Sequence, residues 1–500
     1  MSSVDISRKL FQPAKHYAGA VYQQGRVTLD SDQNENNLLA GEELQRLIAE
    51  AICSGGSPNA GFTISNVHLA GPPGEEEGAE TYDFDVAAGS FYLGGRRFTA
   101  EPGDKFLGQS DWLQITLDGG LPAPPAAGDL ANGPRHDFVW LEAWEQCVTA
   151  TEDSEILERA LGGPDTTARL RRMRRIHVTT NTADDCNDAL GGLGIAIDPD
   201  SGAILSPTRL TVGFDPAGIT DDPCKPATKA GFLGADNQTF RVQITATGRF
   251  IWGADNASPL YRVQAQSFED PGGGPATLRR IHFLTPPPDQ AHYPLAGQTV
   301  ELMRWGALLP NHEKVAEPTG MLATVEASYD PDSGSIVIAT AVPQAWVDWF
   351  AAAGAGALSD HDQPEDREYF YLRLWTGGSG ANGAPDFAFA PNVAQPLAGT
   401  GLTVTFSDNG RLGEYWSIAA RPNTPDIVVP WALQQGLPPM GPLVFLTPLA
   451  IITWALDNNN QPGASVHDCR HRFRPLCETS CCCTITVGDG QTSFGDVASV

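Results

Sequence analysis

Apolar and polar residues alternate along most of this chain, in short runs that end at turn residues. From about Gly61 onward the period is close to two residues, the spacing of a strand with one buried face. The run from Thr81 to Phe98 predicts two strands broken at Gly89 and turned at Gly94 and Gly95. The dominant pattern is therefore that of a β protein.

A longer alternating run, from Asp137 to Ala150, predicts one long strand. Turn signals separate such runs: DPDSG occurs at Asp198–Gly202 and again at Asp330–Gly334, and SDNG occurs at Ser407–Gly410. Short turns of this kind join neighbouring antiparallel strands. They indicate a chain built largely from hairpins.

Two segments have the period of a helix instead. The first follows a half-buried strand signal at residues 20–32, can be capped by Asp32 or Asn34, and is predicted to stop at residues 55 and 56, both glycines. The second begins at Ala345. The apolar residues of the first helix recur at helical spacing: Leu38, Leu39, Leu44, Leu47, Ile48 and Ile52.

Length and composition agree with a multi-domain β chain. The 500 residues exceed one ordinary domain, and 53 glycines with 39 prolines favour many turns between short strands. We predict a mainly β fold of several β-sandwich or β-barrel modules with one N-terminal helix. Composition shifts suggest a strand-helix attachment segment (1–58), a sandwich-like domain (59–180), a second β domain (181–285), a barrel or sandwich domain (286–480) and a final segment (481–500).

The net charge of −28 argues against polyanionic partners, because it repels both a nucleic-acid backbone and an anionic membrane surface. One basic run, Arg169–Arg175, could be a phosphate patch. Its arginines alternate with Leu170, Met173 and Ile176, however, which favours a strand with one solvated face. We therefore expect no nucleic-acid partner.

The sequence also predicts no membrane insertion. The first residues lack the apolar core of a secretory signal, and the longest apolar stretch, Pro442–Leu456, is shorter than a bilayer span and reads as a buried strand pair. We expect synthesis and assembly in the cytoplasm.

Candidate metal ligands cluster near the C-terminus. Thiolates and imidazoles at short intervals can close a tetrahedral zinc site, although the spacing fits no standard zinc finger. A disulfide and inert burial of the thiols remain open as alternatives. The four proposed ligands are His467, Cys469, His471 and Cys477, and the alternatives include Cys481, Cys482 and Cys483.

Two further constellations are weaker. Asp30, Asp32 and Asn34 imitate a calcium loop, but Glu35 and Gly41 occupy positions where such a loop needs glycine and glutamate, so a helix cap is favoured. Elsewhere Cys186 and Cys224 could bridge a loop, a pairing that sequence alone does not decide.

No catalytic or cofactor-binding residue is predicted. The sequence holds no GxSxG elbow, HExxH helix or phosphate-binding loop, and the paired acids at residues 152–153 and 221–222 are interpreted as solvated charges or turn residues. A sugar-binding surface of tryptophans is a weaker hypothesis than burial in the core. The tryptophans concerned are Trp252, Trp305, Trp346, Trp349, Trp375 and Trp416.

Several blocks of this chain resemble an uncharacterised family that occurs with phage tails and contractile injection systems, often before a right-handed parallel β-helix. The longest are Phe11–Glu35 and Asp137–Arg172, and shorter ones are Gly234–Ile244, Phe250–Ser258 and Gly413–Arg421. The last residues, 481–500, resemble the start of such a β-helix, with a TSFGD-type turn.

The resemblance implies a structural role in a phage-tail-like particle, as a baseplate-attached fibre, spike or adaptor. It implies other particle proteins as partners, a homo-oligomer such as a trimer, and a place in a released or cell-associated, virion-like particle. It also implies a gene product that continues beyond Val500. The alternative is the leading part of a tailspike that degrades polysaccharide with a catalytic β-helix beyond residue 500.

Overall fold

The fold is described from a computed structural model. It covers residues 4–52, 55–71, 80–161, 165–181, 183–215, 230–269, 275–352, 369–378, 380, 383–474, 486–487 and 498–499. The fold is mainly β, with several sheets, one closed barrel and one long helix.

The helices are α1 (Asp30–Ile52), α2 (Cys186–Gly191) and α3 (Gln344–Ala352). The strands are β1 (Gly55–Gly56), β2 (Ile64–Ala70), β3 (Thr81–Val86), β4 (Gly89–Leu93), β5 (Arg96–Ala100), β6 (Arg135–Val148), β7 (Arg169–Asn181), β8 (Leu210–Phe214), β9 (Gln238–Ala246), β10 (Arg249–Gly253), β11 (Leu260–Phe268), β12 (Thr277–Phe283), β13 (Thr299–Met303), β14 (Trp305–Leu308), β15 (Lys314–Ala316), β16 (Met321–Asp330), β17 (Ser335–Ile338), β18 (Phe370–Trp375), β19 (Phe387–Ala388), β20 (Gln395–Leu397), β21 (Leu402–Phe406), β22 (Tyr415–Ala420), β23 (Val428–Val429), β24 (Val444–Leu456), β25 (Pro462–Asp468), β26 (Thr486–Val487) and β27 (Ala498–Ser499).

The sheet with the longest strands, which we call the long sheet, has the order β25-β24-β6-β7 and is antiparallel throughout. One face of it packs on the small sheets β2-β3 and β1-β4-β5, and their apolar side chains form one core with those of β6 and β24. The predicted long strand is confirmed as β6. Strand β24 is a single strand with a register shift between Pro448 and Ala450, so the predicted strand pair in this stretch was wrong.

Two more units complete the fold. The sheets β20-β21-β8 and β19-β10-β9-β22-β23 share a second apolar core, and six strands close a barrel in the order β11-β12-β17-β16-β13-β18 around a third. We refer to the sheets and the barrel formed by β1–β25 as the β platform.

The units are nested in sequence rather than consecutive. The barrel spans residues 260–375, between β10 and β19 of the five-stranded sheet, and that sheet itself falls between β7 and β24 of the long sheet. Strands on opposite sides of the expected boundaries therefore pair: β6 with β24, β9 with β22, and β12 with β17. Alternation identifies a strand, but its hydrogen-bonding partner depends on the tertiary fold.

The hairpin turns follow the sequence signals. Leu93 pairs with Arg96, so Gly94 and Gly95 form a two-residue turn, and both have the positive φ that such a turn requires. Asp330 and Ser335 pair across the second DPDSG motif. The helix predicted from Ala345 is confirmed as part of α3.

The strand predicted at residues 20–32 was wrong. These residues are not paired in a sheet, and Val21 and Val27 are 89% and 85% exposed. Their alternation has no sheet beside it to bury one face. Helix α1 begins within this stretch, at Asp30, and ends at Ile52, shortly before the predicted glycine stop.

The arginine strand β7 is solvated only in part, whereas we expected one solvated face. Met173 and Arg174 are both buried, and the strand lies against segments that supply carboxylates. Four of the five arginines of the run form ion pairs with these carboxylates, which disfavours phosphate binding and joins β7 to three other parts of the chain. The pairs are Arg171 with Asp111, Arg172 with Glu145, Arg174 with Asp104, and Arg175 with Glu317.

A carboxylate between β6 and β7 makes stability depend on pH. Glu142 lies 2.8 Å from a ring nitrogen of His177. Burial acts to raise the pKa of Glu142, but the hydrogen bond and charge of His177 outweigh it, and the pKa lies below its usual value. A lowered folded-state pKa stabilises the fold above the ordinary carboxyl pKa, and this contribution is lost as the pH falls through the lowered value.

We therefore expect Glu142→Gln to lower the free energy of unfolding by up to about 1 kcal/mol at pH 7. The difference from the unsubstituted protein should shrink when urea unfolding is repeated at pH 4 and below. Glu101→Gln, at an exposed position, is the control and should change little at either pH. A difference for Glu142→Gln that grows towards low pH would contradict the assigned direction of the shift.

Candidate functional site

The C-terminal cysteine and histidine cluster is only partly described. Cys469 forms a disulfide with Cys186 at the start of α2, with a Cα–Cα distance of 5.7 Å. The possible bond between Cys186 and Cys224 is therefore not formed. Cys224 itself lies outside the described residues. The bond joins residues 283 positions apart, which is why spacing in the sequence did not suggest it.

The disulfide also bears on the proposed zinc ligands. A disulfide sulfur is not a thiolate, so Cys469 cannot bind zinc in this state. The Nδ1 atom of His471 lies 2.9 Å from the backbone oxygen of Gly55, and His467 is exposed on β25. Within the described residues, no three potential ligands converge. The other candidates, Cys477, Cys481, Cys482 and Cys483, lie outside the described residues.

The acidic residues at the start of α1 accept hydrogen bonds that hold the first turn of the helix in place. The carboxylate of Asp32 accepts a hydrogen bond from the backbone N–H of Leu29 at 3.1 Å, one half of a capping box. Asp30 accepts hydrogen bonds from the backbone N–H and the hydroxyl of Ser7. Burial acts to raise the pKa of Asp30, but the bonds from Ser7 lower it further than burial raises it.

The candidate tryptophans belong to the cores. Four are buried, and Trp346 and Trp349 pack against the barrel core. Glu152 lies in a turn, one of the two interpretations that we gave, but its carboxylate is buried rather than solvated and accepts hydrogen bonds from the backbone N–H groups of Thr149 and Ala316. The pair at residues 221–222 lies outside the described residues. The four buried tryptophans are Trp252, Trp305, Trp375 and Trp416.

A cleft of about 860 Å³ with both polar and apolar lining opens beside the barrel. Asp5, His292 and Tyr261 line it, and the buried Tyr261 hydroxyl has no hydrogen-bond partner among the described residues. Burial, with the charges of Asp255 and Asp30, raises the pKa of Asp5. The groups that line the cleft define neither a ligand class nor a reaction.

The most exposed apolar surface lies near the N-terminus. Residues 13–29, which we call the N-terminal arm, are exposed almost throughout. Several large apolar side chains exposed within one short segment make the arm a candidate interaction surface. The exposed large apolar side chains of the arm are Tyr17, Val21, Tyr22, Val27 and Leu29.

The residues on both sides of the arm are anchored on the β platform. Before the arm, the backbone oxygen of Ser7 accepts hydrogen bonds from Thr239 and Arg421, which belong to or follow strands β9 and β22. After it, the backbone of Gln45 in α1 lies so close to Gly95 that a Cβ there would come within 2.1 Å of the Gln45 oxygen. The arm and α1 thus project from a fixed base.

Helix α1 buries little of itself. Among its residues only Ser31 and Leu39 are buried, whereas Leu44 and Leu47 are 57% and 62% exposed. The sequence pattern revealed the helix and its leucines, but the same spacing would suit a buried face equally well. Only the structure shows that these leucines face outward.

No described helix is long and apolar enough to cross a membrane. A profile of a family of unknown function, DUF6519, matches residues 2–203, which include the N-terminal arm, α1 and strands β1–β7. No curated protein matches the chain. No solved structure matches it either.

Proposed function

We propose that this chain is a structural, non-catalytic component of a phage-tail-like or contractile injection system particle. In this role it is a baseplate-attached fibre, spike or adaptor. The observation that supports this proposal best is the pairing of a β platform built on three large apolar cores with an exposed apolar arm and helix. That combination suits a part that holds other proteins in place better than a part that turns over a substrate.

Two features of the platform fit this role. Four of the five arginines in its basic strand are ion-paired within the chain, which disfavours a phosphate site there. The strong negative charge of the chain, −28, also disfavours nucleic acid and anionic membranes as partners. Other particle proteins and further copies of this chain are the partners that we propose, in a virion-like particle assembled in the cytoplasm.

The finer architecture belongs to this proposal as well. We propose that the paired sheets act as sandwich modules and that residues 481–500 begin a right-handed β-helix. Of these last residues only β26 and β27 are described, and they pair antiparallel. The rest of the segment lies outside the described residues.

A second candidate is the leading part of a polysaccharide-degrading tailspike with its catalytic β-helix beyond residue 500. The resemblance of residues 481–500 to the start of a β-helix favours it. Assays of capsule degradation by the full gene product and by residues 1–500 separate the two proposals. Degradation by the full product alone would support the tailspike; no degradation by either would favour the structural role.

The main proposal is tested by following the chain through particle purification from its native host. We expect it to sediment with tail-like particles, and a density map of those particles should accommodate the β platform. In a host that lacks the tube protein, the chain should leave the heavy fraction. Intact particles that contain no copy of the chain would overturn the proposal.

A further inference from the structure

Six of the exposed residues of α1 form a continuous stripe along the helix. Along the helix the spacing alternates between four and three residues, which is the repeat of a coiled-coil contact line. Every member of this stripe is exposed. We call the stripe the seam of α1, and its members are Gln33, Asn37, Ala40, Leu44, Leu47 and Ala51.

The opposite side of the helix packs against the rest of the chain. Ser31 and Leu39 are buried, and Gln45 rests against the turn at Gly95. None of these residues belongs to the seam. The platform therefore holds α1 so that the whole contact line points away from it.

A seam with this repeat is matched by another helix with the same repeat, because each apolar side chain then fits between four residues of the partner. Within the described residues, the other two α-helices have six and nine residues, against 23 for α1. A membrane surface is a poor partner for α1, which holds six acidic residues and one arginine. The matching helix available to this chain is α1 of another copy.

The residues that flank the seam favour a parallel arrangement. In a parallel pair, Glu43 of one helix faces Ile48 of the other, and Asn36 faces Gly41, so no two acids meet. An antiparallel pair would bring the flank with Glu43 and Glu50 against the same flank of its partner. Like charges would then oppose each other.

We infer that α1 is an oligomerisation element, and that the α1 helices of two or more copies of this chain pack in parallel along their seams. Asn37 lies at a seam position where a polar side chain fixes the register of parallel helices. The inference rests on the proposed function only in expecting several copies in one particle. What it adds is the surface that the copies use and their relative direction.

The first test is the mass of the purified chain by size-exclusion chromatography with light scattering. We expect a discrete oligomer, and the double variant Leu44→Glu/Leu47→Glu should shift to the mass of one chain. The matched control is Leu205→Glu/Leu412→Glu, which changes two leucines that are 52% and 54% exposed outside α1. The control should keep the oligomer. Circular dichroism and thermal unfolding verify that both variants are folded.

The relative direction of the paired α1 helices is tested by disulfide cross-linking. In a parallel pair each seam residue lies opposite its own copy, so Leu44→Cys should form a disulfide with Leu44→Cys of a second chain, identified by peptide mapping. Arg46→Cys, exposed but outside the seam, should not. A monomeric unsubstituted chain, an oligomer that survives Leu44→Glu/Leu47→Glu, or equal cross-linking at both positions would each overturn the inference.

The outcomes separate this inference from the proposed function. A chain that is present in particles but monomeric when pure, without the cross-link, would contradict the seam alone. An oligomer that depends on the seam but is absent from intact particles would contradict the proposed function alone.

Discussion

Asp137→Ala is expected to lower the free energy of unfolding by about 3–5 kcal/mol, the largest loss that we predict for one side chain. The carboxylate of Asp137, on β6, is fully buried where this strand meets three others. Its removal would leave buried donors without an acceptor, and their desolvation would no longer be offset. Its hydrogen-bond donors are Tyr82 at 2.7 Å, Arg135 at 2.7 Å, Thr180 at 3.0 Å and Trp454 at 3.0 Å.

The position of these donors explains why the effect should be global. Tyr82 belongs to β3, Thr180 to β7 and Trp454 to β24, so Asp137 joins the long sheet to a sheet packed on its face. Burial, and then the charge of Asp137, raises the pKa of Tyr82. The phenol therefore remains protonated and continues to donate its hydrogen bond.

Urea unfolding at pH 7 measures the loss. Asp137→Asn retains one acceptor oxygen and should cost less, about 1–3 kcal/mol. Asp426→Ala removes an exposed carboxylate and should change the free energy of unfolding by no more than about 0.5 kcal/mol. If Asp137→Ala were no more destabilising than Asp426→Ala, the carboxylate would not be a structural junction.

The second large effect concerns the disulfide. The double variant Cys186→Ala/Cys469→Ala should be less stable than the unsubstituted protein by about 2–5 kcal/mol, because the bond restricts an unfolded chain across 283 positions. It ties α2 to the end of β25, at a small core that contains Phe138 and Ile451. Loss of the bond should loosen this edge of the long sheet first.

Thermal unfolding with and without a reducing agent checks this expectation. The reducing agent should destabilise the unsubstituted protein and affect the double variant much less. Cys147→Ala, which removes a half-buried free thiol, should cost about 1 kcal/mol or less and remain sensitive to reduction. A non-reduced digest that contains no linked Cys186–Cys469 peptide would refute the assigned pairing.

These two junctions have a common consequence for the proposed function. Asp137 and the disulfide both act within the long sheet, and the α1 helix rests on the small sheet packed against it. If α1 joins several copies, its position depends on the stability of the small sheet on which it rests. Variants that weaken the base should therefore weaken assembly without changing the seam itself.

The sequence by itself determined the local features of this protein. Signals between residues a few positions apart predict the Gly94–Gly95 turn, the long strand β6 and the helix α1. Each of these signals lies within a single short segment of the chain. The exposed surface of α1 was harder to predict from the sequence. The leucines of α1 were visible, but their exposure was not, since the helical period is the same for a buried and an exposed face.

Only the tertiary structure decided which segments meet. It paired β6 with β24, gave the arginines of β7 their carboxylates, and joined Cys186 to Cys469 instead of to Cys224. The physical reason is that partner choice and burial depend on contacts between residues tens to hundreds of positions apart. Alternation and spacing record which face a strand or helix could bury, and the completed fold determines whether anything lies against it.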